Sequence, residues 1–328
     1  MKGTNMLSRY LSPLITGALL IAACAPATPT TPPPAAGNPL RVVATFSVLG
    51  DLVKNVGGDA IALTVLVGPD SDSHTYEPSP ADSAALAEAQ VIVENGIEFE
   101  SWLDELVTAS GTQAARVVAA DGLTLREGGE HEEGEEHEGE EHTEGDGHEH
   151  GAFDPHVWHN VENAMQMVRN IQAGMSAADP ARAATYQANA EAYLRTLTEL
   201  EAYVVAQAAT VPADRRQIVT NHDAFGYFCD AYDFTLVGDV LGTLSTEAAE
   251  PSAQELAQLA DRVRATGVSV IFTENVMSAD VAEALSRETG VKIGGALYTD
   301  ALTAIGGPAD TYEKMIRANI DTVVGALK

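Results

Sequence analysis

The nine histidines of this 328-residue chain fall into two settings, and the setting decides what each can do. His131, His137, His142, His148 and His150 are spread through residues 127–151, a run of almost pure Glu, Gly and His that holds no Lys or Arg. Neutral imidazoles and carboxylates bind divalent metals, imidazole suits zinc, copper and nickel, and His-rich tracts are a compositional metal signal. The run has no apolar residue to bury, so it cannot offset its ordering entropy and is expected to stay disordered, an auxiliary and weak metal binder. His74, His156, His159 and His222 stand singly in the patterned remainder. The stretch Asp154-Pro155-His156-Val157-Trp158-His159-Asn160 is where the soft tract meets a helical scaffold, which marks His156 as one ligand of a buried divalent-metal site.

A formal net charge of −30 excludes nucleic acid as a partner, disfavours anionic ligands, and fits a cation-handling protein outside the cytoplasm. Lys2 and Arg9 open the chain, Leu11 to Ala23 is apolar, and small residues close the run, so residues 1–23 read as a signal peptide rather than a spanning helix. Ile21-Ala22-Ala23-Cys24 resembles a bacterial lipobox, which implies cleavage before Cys24 and lipid on its sulfur, holding a soluble protein at the membrane surface. Residues 24–39 are rich in Pro, Thr and Ala and read as an extended spacer. The second cysteine, Cys229, lies in a helical-looking apolar stretch and reads as a buried structural thiol rather than a partner for Cys24.

Short apolar runs alternate with helical periodicity from Leu40 onward. Strands are expected at Leu40–Phe46, Ala60–Val67, Gln90–Glu94 and Ala115–Ala119, then again at Gln217–Thr220, Phe234–Val240, Val268–Thr273 and Val291–Ala296. Between the two sets, Asp179-Pro180 looks like a helix cap with Pro at the first helical position, and nothing breaks the pattern to Ala209. The expected fold is α/β, with two lobes, each a parallel four-stranded sheet flanked by helices, at residues 40–178 and 210–328. One long rigid helix, 179–209, joins them and would span about 45 Å.

Ligands of parallel sheets collect where loops leave the carboxyl ends of the strands. His74, His222 and Asp300 all fall in such loops. Taken alone His74 reads as a solvated loop histidine, but with His156, His222 and Asp300 it completes three imidazoles and one carboxylate, a closed set for a divalent ion. The segments His-Thr-Tyr-Glu-Pro at 74–78, Asp-Pro-His-Val-Trp at 154–158 and His-Asp-Ala-Phe-Gly-Tyr at 222–227, with Asp300 after the last strand, resemble the zinc and manganese substrate-binding lipoproteins of bacterial ABC importers, the ZnuA/TroA-like cluster A-I group. The resemblance runs from about Leu40 to the end. It implies a monomeric, lipid-anchored extracytoplasmic receptor that is not an enzyme. Its metal would lie between the lobes, with His74 and His156 from the first and His222 and Asp300 from the second, and its partners would be a permease and an ATPase. The acidic His-rich insertion resembles that of zinc-specific members, so the expected cargo is Zn2+, with Mn2+ possible through a bidentate Asp300. His159 departs from the pattern and reads as a histidine at a helix start.

Two other classes share some of these residues. A zinc hydrolase needs an open coordination position and an adjacent base. The chain has no His-Glu-x-x-His motif, four ligands would fill the sphere, and Glu77, the nearest candidate base, is followed by Pro78 in a turn. An adhesin or extracellular metal buffer would use the same fold and site for display or storage.

Overall fold

A computed structural model of the chain describes residues 37–128, 152–247 and 252–328. Cys24, the signal segment and the tract histidines His131, His137, His142, His148 and His150 lie outside the described residues. Among the described residues no helix is long and apolar enough to cross a membrane.

The first lobe follows the sequence pattern closely. Strand β1 (Leu40–Phe46) is buried at all positions but Arg41, as expected of a strand covered on both faces. Helix α1 (Ser47–Gly57) returns the chain to β2 (Ile61–Val67); α2 (Pro80–Glu88) leads to β3 (Val91–Glu94), and α3 (Leu103–Ser110) to β4 (Ala115–Val118). The four strands form one parallel sheet in the order β2-β1-β3-β4. Helix α4 (Val161–Ala178), capped by the Asn160 side chain accepting from Glu162 N–H, packs beside β4 and α1.

The joining helix α5 (Ala183–Ala208, 26 residues) starts later than its sequence suggests. Pro180–Arg182 forms a 3-10 turn, and the Asp179 carboxylate is taken by Arg182 and by the Tyr186 hydroxyl rather than by backbone N–H groups. The buried positions Tyr186, Ala190, Tyr193, Leu197, Leu200, Val204 and Ala208 recur at steps of three and four, one continuous face. That face packs on α1 and α4 and on the last helix, α9 (Tyr312–Leu327), so a single core carries side chains of both lobes.

In the second lobe β5 (Gln217–Thr220), α6 (Gly226–Tyr232), β6 (Thr235–Asp239), α7 (Ala253–Thr266), β7 (Val270–Glu274), α8 (Asp280–Thr289) and β8 (Lys292–Leu297) occur in the expected order. The strands hydrogen-bond as two parallel pairs, β5-β6 and β7-β8, with β5 lying beside β7. Both ladders shift register, between Ile218 and Val219 and between Ile271 and Phe272, where the extra residues, Val237 and Gly294, lie on the partner strands β6 and β8. Such an extra residue bends the strand that carries it.

A candidate metal centre between the lobes

Each of the four sequence-predicted ligands is delivered by a loop that something else holds still. His74 follows β2; its N–H donates to Asp72 Oδ1 (2.9 Å), and Trp102 Nε1 donates to the Ser73 carbonyl (3.0 Å). His156 precedes a 3-10 turn, Val157–His159, and Asn95 at the end of β3 donates to the Pro155 carbonyl (3.0 Å). His222 follows β5. Asp300 follows β8, where Asn275 accepts from Thr299 N–H (3.1 Å) and donates to the Ala301 carbonyl (3.2 Å), gripping the backbone on both sides of it. Trp158 Nε1 crosses from the first lobe to the Thr299 carbonyl (3.0 Å), tying the Asp300 loop to the His156 loop.

The four side chains converge, with one potential ligand atom from each lying within 4.8 Å of all the others. His156 Nε2 is 3.3 Å from the Nε2 of both His74 and His222. Asp300 approaches His222 Nε2 at 3.3 Å, His156 Nε2 at 3.6 Å and His74 Nε2 at 3.9 Å. Four ligands at zinc's bond lengths around a tetrahedron sit about 3.3–3.4 Å apart. The cluster therefore stands close to the size of one such ion's coordination shell.

Proton placement leads to the same conclusion. His156 Nδ1 faces Asp154 Oδ1 at 2.8 Å, and His222 Nδ1 faces Glu274 Oε2 at 2.5 Å. An ionised carboxylate can only accept a hydrogen bond, so in each neutral ring the hydrogen sits on Nδ1 and the Nε2 lone pair points into the centre. Two such lone pairs 3.3 Å apart need a proton or a metal ion between them. Asp300 adds two further acceptors: both its oxygens are buried without a well-formed hydrogen bond. Burial alone would raise Asp300's pKa, but the His222, His156 and His74 imidazoles outweigh it and hold the carboxyl below its ordinary range. Burial likewise opposes charge on His222, yet Glu274 and Asp300 push its pKa well above the ordinary value. The centre is thus an anionic cradle that attracts a cation.

Three supporting residues carry little sequence signal. Glu274 closes β7, and its Oε1 also accepts from Asn221 N–H (2.7 Å) and His222 N–H (3.0 Å). The carboxyl-end rule that located His222 and Asp300 also applies to Glu274, 52 residues further along the chain from His222. Asn275, beside it, was equally open to that rule. Arg126 has no sequence signal of its own, yet its guanidinium lies 3.5 Å from Asp154 Oδ2, 3.6 Å from Asp223 and 3.4 Å from Asp230. Gly226 leaves room for this group, because a Cβ there would meet Arg126 at 2.4 Å and Asp154 at 2.6 Å.

His159 differs from a solvated helix-start residue. It is fully buried, stacks on Phe225 at 4.5 Å, and neither ring nitrogen has a hydrogen-bond partner. Burial, reinforced by His156, pushes its pKa down to about 3, so it packs as a neutral aromatic. Cys229 is buried and unpaired, as a structural thiol should be.

The ZnuA family model, described as the periplasmic component A of the zinc-uptake complex, matches residues 42–326. The manganese-binding lipoprotein MntA of Halalkalibacterium halodurans is 34% identical over 293 residues, 89% of each chain. The iron-binding protein YfeA of Yersinia pestis is 30% identical over 286 residues, 86% of this chain and 85% of its own. The solved structure of the periplasmic zinc-binding protein TroA of Treponema pallidum superposes with a TM-score of 0.76 at 30% identity, covering 88% of this chain and 99% of TroA. Carrying this fold and matching the family model over nearly its whole length, the chain belongs to the ZnuA family of periplasmic metal-uptake components rather than to a family of enzymes.

Proposed function

We propose that this protein is the extracytoplasmic receptor of an ABC importer, that it captures Zn2+ between its lobes through His74, His156, His222 and Asp300, and that it passes the ion to a membrane permease driven by an ATPase. The observation that supports this most strongly is the convergence of four buried ligand atoms, from four loops, to within 4.8 Å of one another. Three imidazoles and one carboxylate favour zinc over a metal that prefers more oxygen ligands. The names of the relatives do not choose, since they span manganese, iron and zinc. A second reading, Mn2+ as cargo, draws on Asp300: its Oδ1 faces His156 and its Oδ2 faces His222, an orientation from which both oxygens can bind one ion. The protein would act as a monomer tethered by lipid on Cys24. The tract histidines His131, His137, His142, His148 and His150 would raise the local zinc concentration at weak sites.

Metal analysis of protein purified without added metal, followed by zinc–manganese competition calorimetry, tests the reading. One tight equivalent that prefers zinc is expected. It should be lost in His156→Ala and His222→Ala and retained when residues 130–150 are deleted, which should remove weak equivalents only. Tight binding that survives both alanine substitutions would refute the four-ligand site.

A further inference from the structure

The four ligands are unequally shielded: His156, His222 and Asp300 are 0% exposed, and His74 is 7% exposed. Among the described residues His74 is thus the one of the four with surface open to solvent, which makes it the place where exchange of the metal would begin. His74 also lines a cleft of about 1060 Å³ whose other walls include Phe99, Trp102 and Phe153, with Leu244 and Ser245 of the second lobe opposite them. A side-chain relay joins the His74 loop to the stretch that carries Leu244 and Ser245. Asp72 Oδ1 accepts the backbone N–H of His74 at 2.9 Å, and Asp72 Oδ2 accepts the Thr246 hydroxyl at 2.6 Å. The same carboxylate therefore holds the most exposed of the four candidate ligands and Thr246, which lies between Ser245 and Glu247 of the cleft lining.

We infer that Asp72 and Thr246 form a positioning pair that sets the rate at which the metal leaves, a role that rests on the metal-receptor reading above. The stretch bearing Thr246 is fixed on its own side by Asp239, which accepts from the N–H groups of Gly242 and Thr243, and by Asp223 N–H donating to the Thr243 carbonyl (3.0 Å). It is thus a preformed arm, and the Thr246–Asp72 bond is what draws it toward His74. A hydrogen bond to a charged acceptor is stronger than one between neutral groups. Losing it frees the arm and leaves Asp72 anchored on its His74 side alone, while all four ligands stay in place. Dissociation should quicken and association should change little, because the open cleft admits the ion in either case.

Thr246→Val removes the hydroxyl and keeps the shape. Zinc-loaded full-length protein is mixed with excess chelator in a stopped-flow instrument, and association is followed separately with free zinc. The valine variant should bind one tight zinc, keep the melting temperature of the metal-free protein, and release zinc about tenfold faster, the effect of about 1.4 kcal/mol. Thr246→Ser should release it at the parent rate. An off-rate within twofold of the parent in the valine variant overturns the inference. Equal acceleration in the valine and serine variants overturns it too, since the methyl group would then be responsible. A parent protein that binds no zinc or manganese stoichiometrically overturns the receptor reading itself, a separate outcome.

Discussion

His156 and His222 are held by the same chemical device built in two ways. In each, one carboxylate holds both the imidazole Nδ1 and the backbone N–H of the ligand residue. At His156 the carboxylate is Asp154, two residues away, and one oxygen, Oδ1, serves both donors at 2.9 and 2.8 Å. At His222 it is Glu274, brought from β7, and the work is divided: Oε1 takes the backbone groups of Asn221 and His222, and Oε2 takes the ring. The local version leaves Asp154 Oδ2 over for Arg126. The remote version leaves nothing over. Its carboxylate is committed on both sides, which makes the second lobe's half of the centre less tolerant of change.

That difference predicts unequal losses from the same chemical substitution, exchange of carboxylate for amide. In Glu274→Gln one end of the side chain becomes a donor. If the amide faces the ring, it forces His222 to put its hydrogen on Nε2, where the metal should bind. If it faces the other way, two backbone N–H groups lose their acceptor. Either orientation costs, and a 10–100-fold loss of zinc affinity is expected, the usual range for removing a ligand's orienting partner. Asp154→Asn can keep its oxygen on His156 and so preserve the ring's tautomer, although its amide N–H then faces the Arg126 guanidinium where an ion pair stood at 3.5 Å. That cost falls on stability more than on the ligand, so a loss of zinc affinity below tenfold is expected. Calorimetry at neutral pH checks the order. A larger loss in Asp154→Asn would remove the distinction between the two clamps.

The same contrast marks where sequence reasoning succeeded. The Asp154-Pro155-His156 clamp is contiguous, and β1 and β3 show as unbroken apolar runs because both faces are buried. Although His74 taken alone reads as a solvated loop histidine, the four candidate ligands were legible because His222 and Asp300 fall just past strands and all four stand in segments that resemble the family. Glu274 and Arg126 were not, since their roles depend on which strands lie side by side and on a side chain reaching across the lobes. The pairing of second-lobe strands as two ladders was likewise hidden, because register shifts at Ile218/Val219 and Ile271/Phe272 leave no mark on hydrophobic alternation. His159 does sit at a helix start, in the 3-10 turn before α4, but its burial was hidden for a related reason: Phe225, from the second lobe, stacks on its ring.

His159 gives a smaller effect that sharpens the comparison, as an imidazole near the centre that no carboxylate clamps. Its two unpartnered nitrogens carry a desolvation cost that an apolar side chain would not. His159→Leu should leave zinc affinity within about threefold and raise the stability of the metal-free protein by about 1 kcal/mol, less whatever the lost stacking on Phe225 contributed. Denaturant unfolding of chelator-treated protein measures the second quantity. A tenfold loss of affinity would mean that His159 reaches the ion.

Glu100 supplies the limiting case, the carboxylate device with no imidazole in it. Its Oε1 accepts from the Thr45 hydroxyl (2.6 Å) and Asn95 N–H (2.7 Å), and its Oε2 accepts from Gly96 N–H (3.2 Å), much as Glu274 gathers Asn221 and His222 N–H. Without a cationic partner, burial dominates over these hydrogen bonds and lifts its pKa from 4.5 to about 7. The folded protein then binds a proton more readily than the unfolded chain between those values, so stability falls as pH rises from about 4.5 to about 7. Asp51 and Asp239, each lifted to about 6 mainly by burial, add to the same slope. Glu100→Gln keeps the neutral form's shape and should flatten the metal-free protein's stability profile across this window by about 1–3 kcal/mol while leaving zinc affinity at pH 7 unchanged. Thermal melts of chelator-treated protein from pH 4.5 to 7.5 read the slope, and calorimetry reads the affinity. An unchanged slope would mean that Glu100 is ionised throughout, and a fall in affinity would make it a partner of the metal centre rather than a support for the β3 loop. The carboxylate clamp itself is therefore ordinary loop architecture, and it serves the metal only where an imidazole completes it.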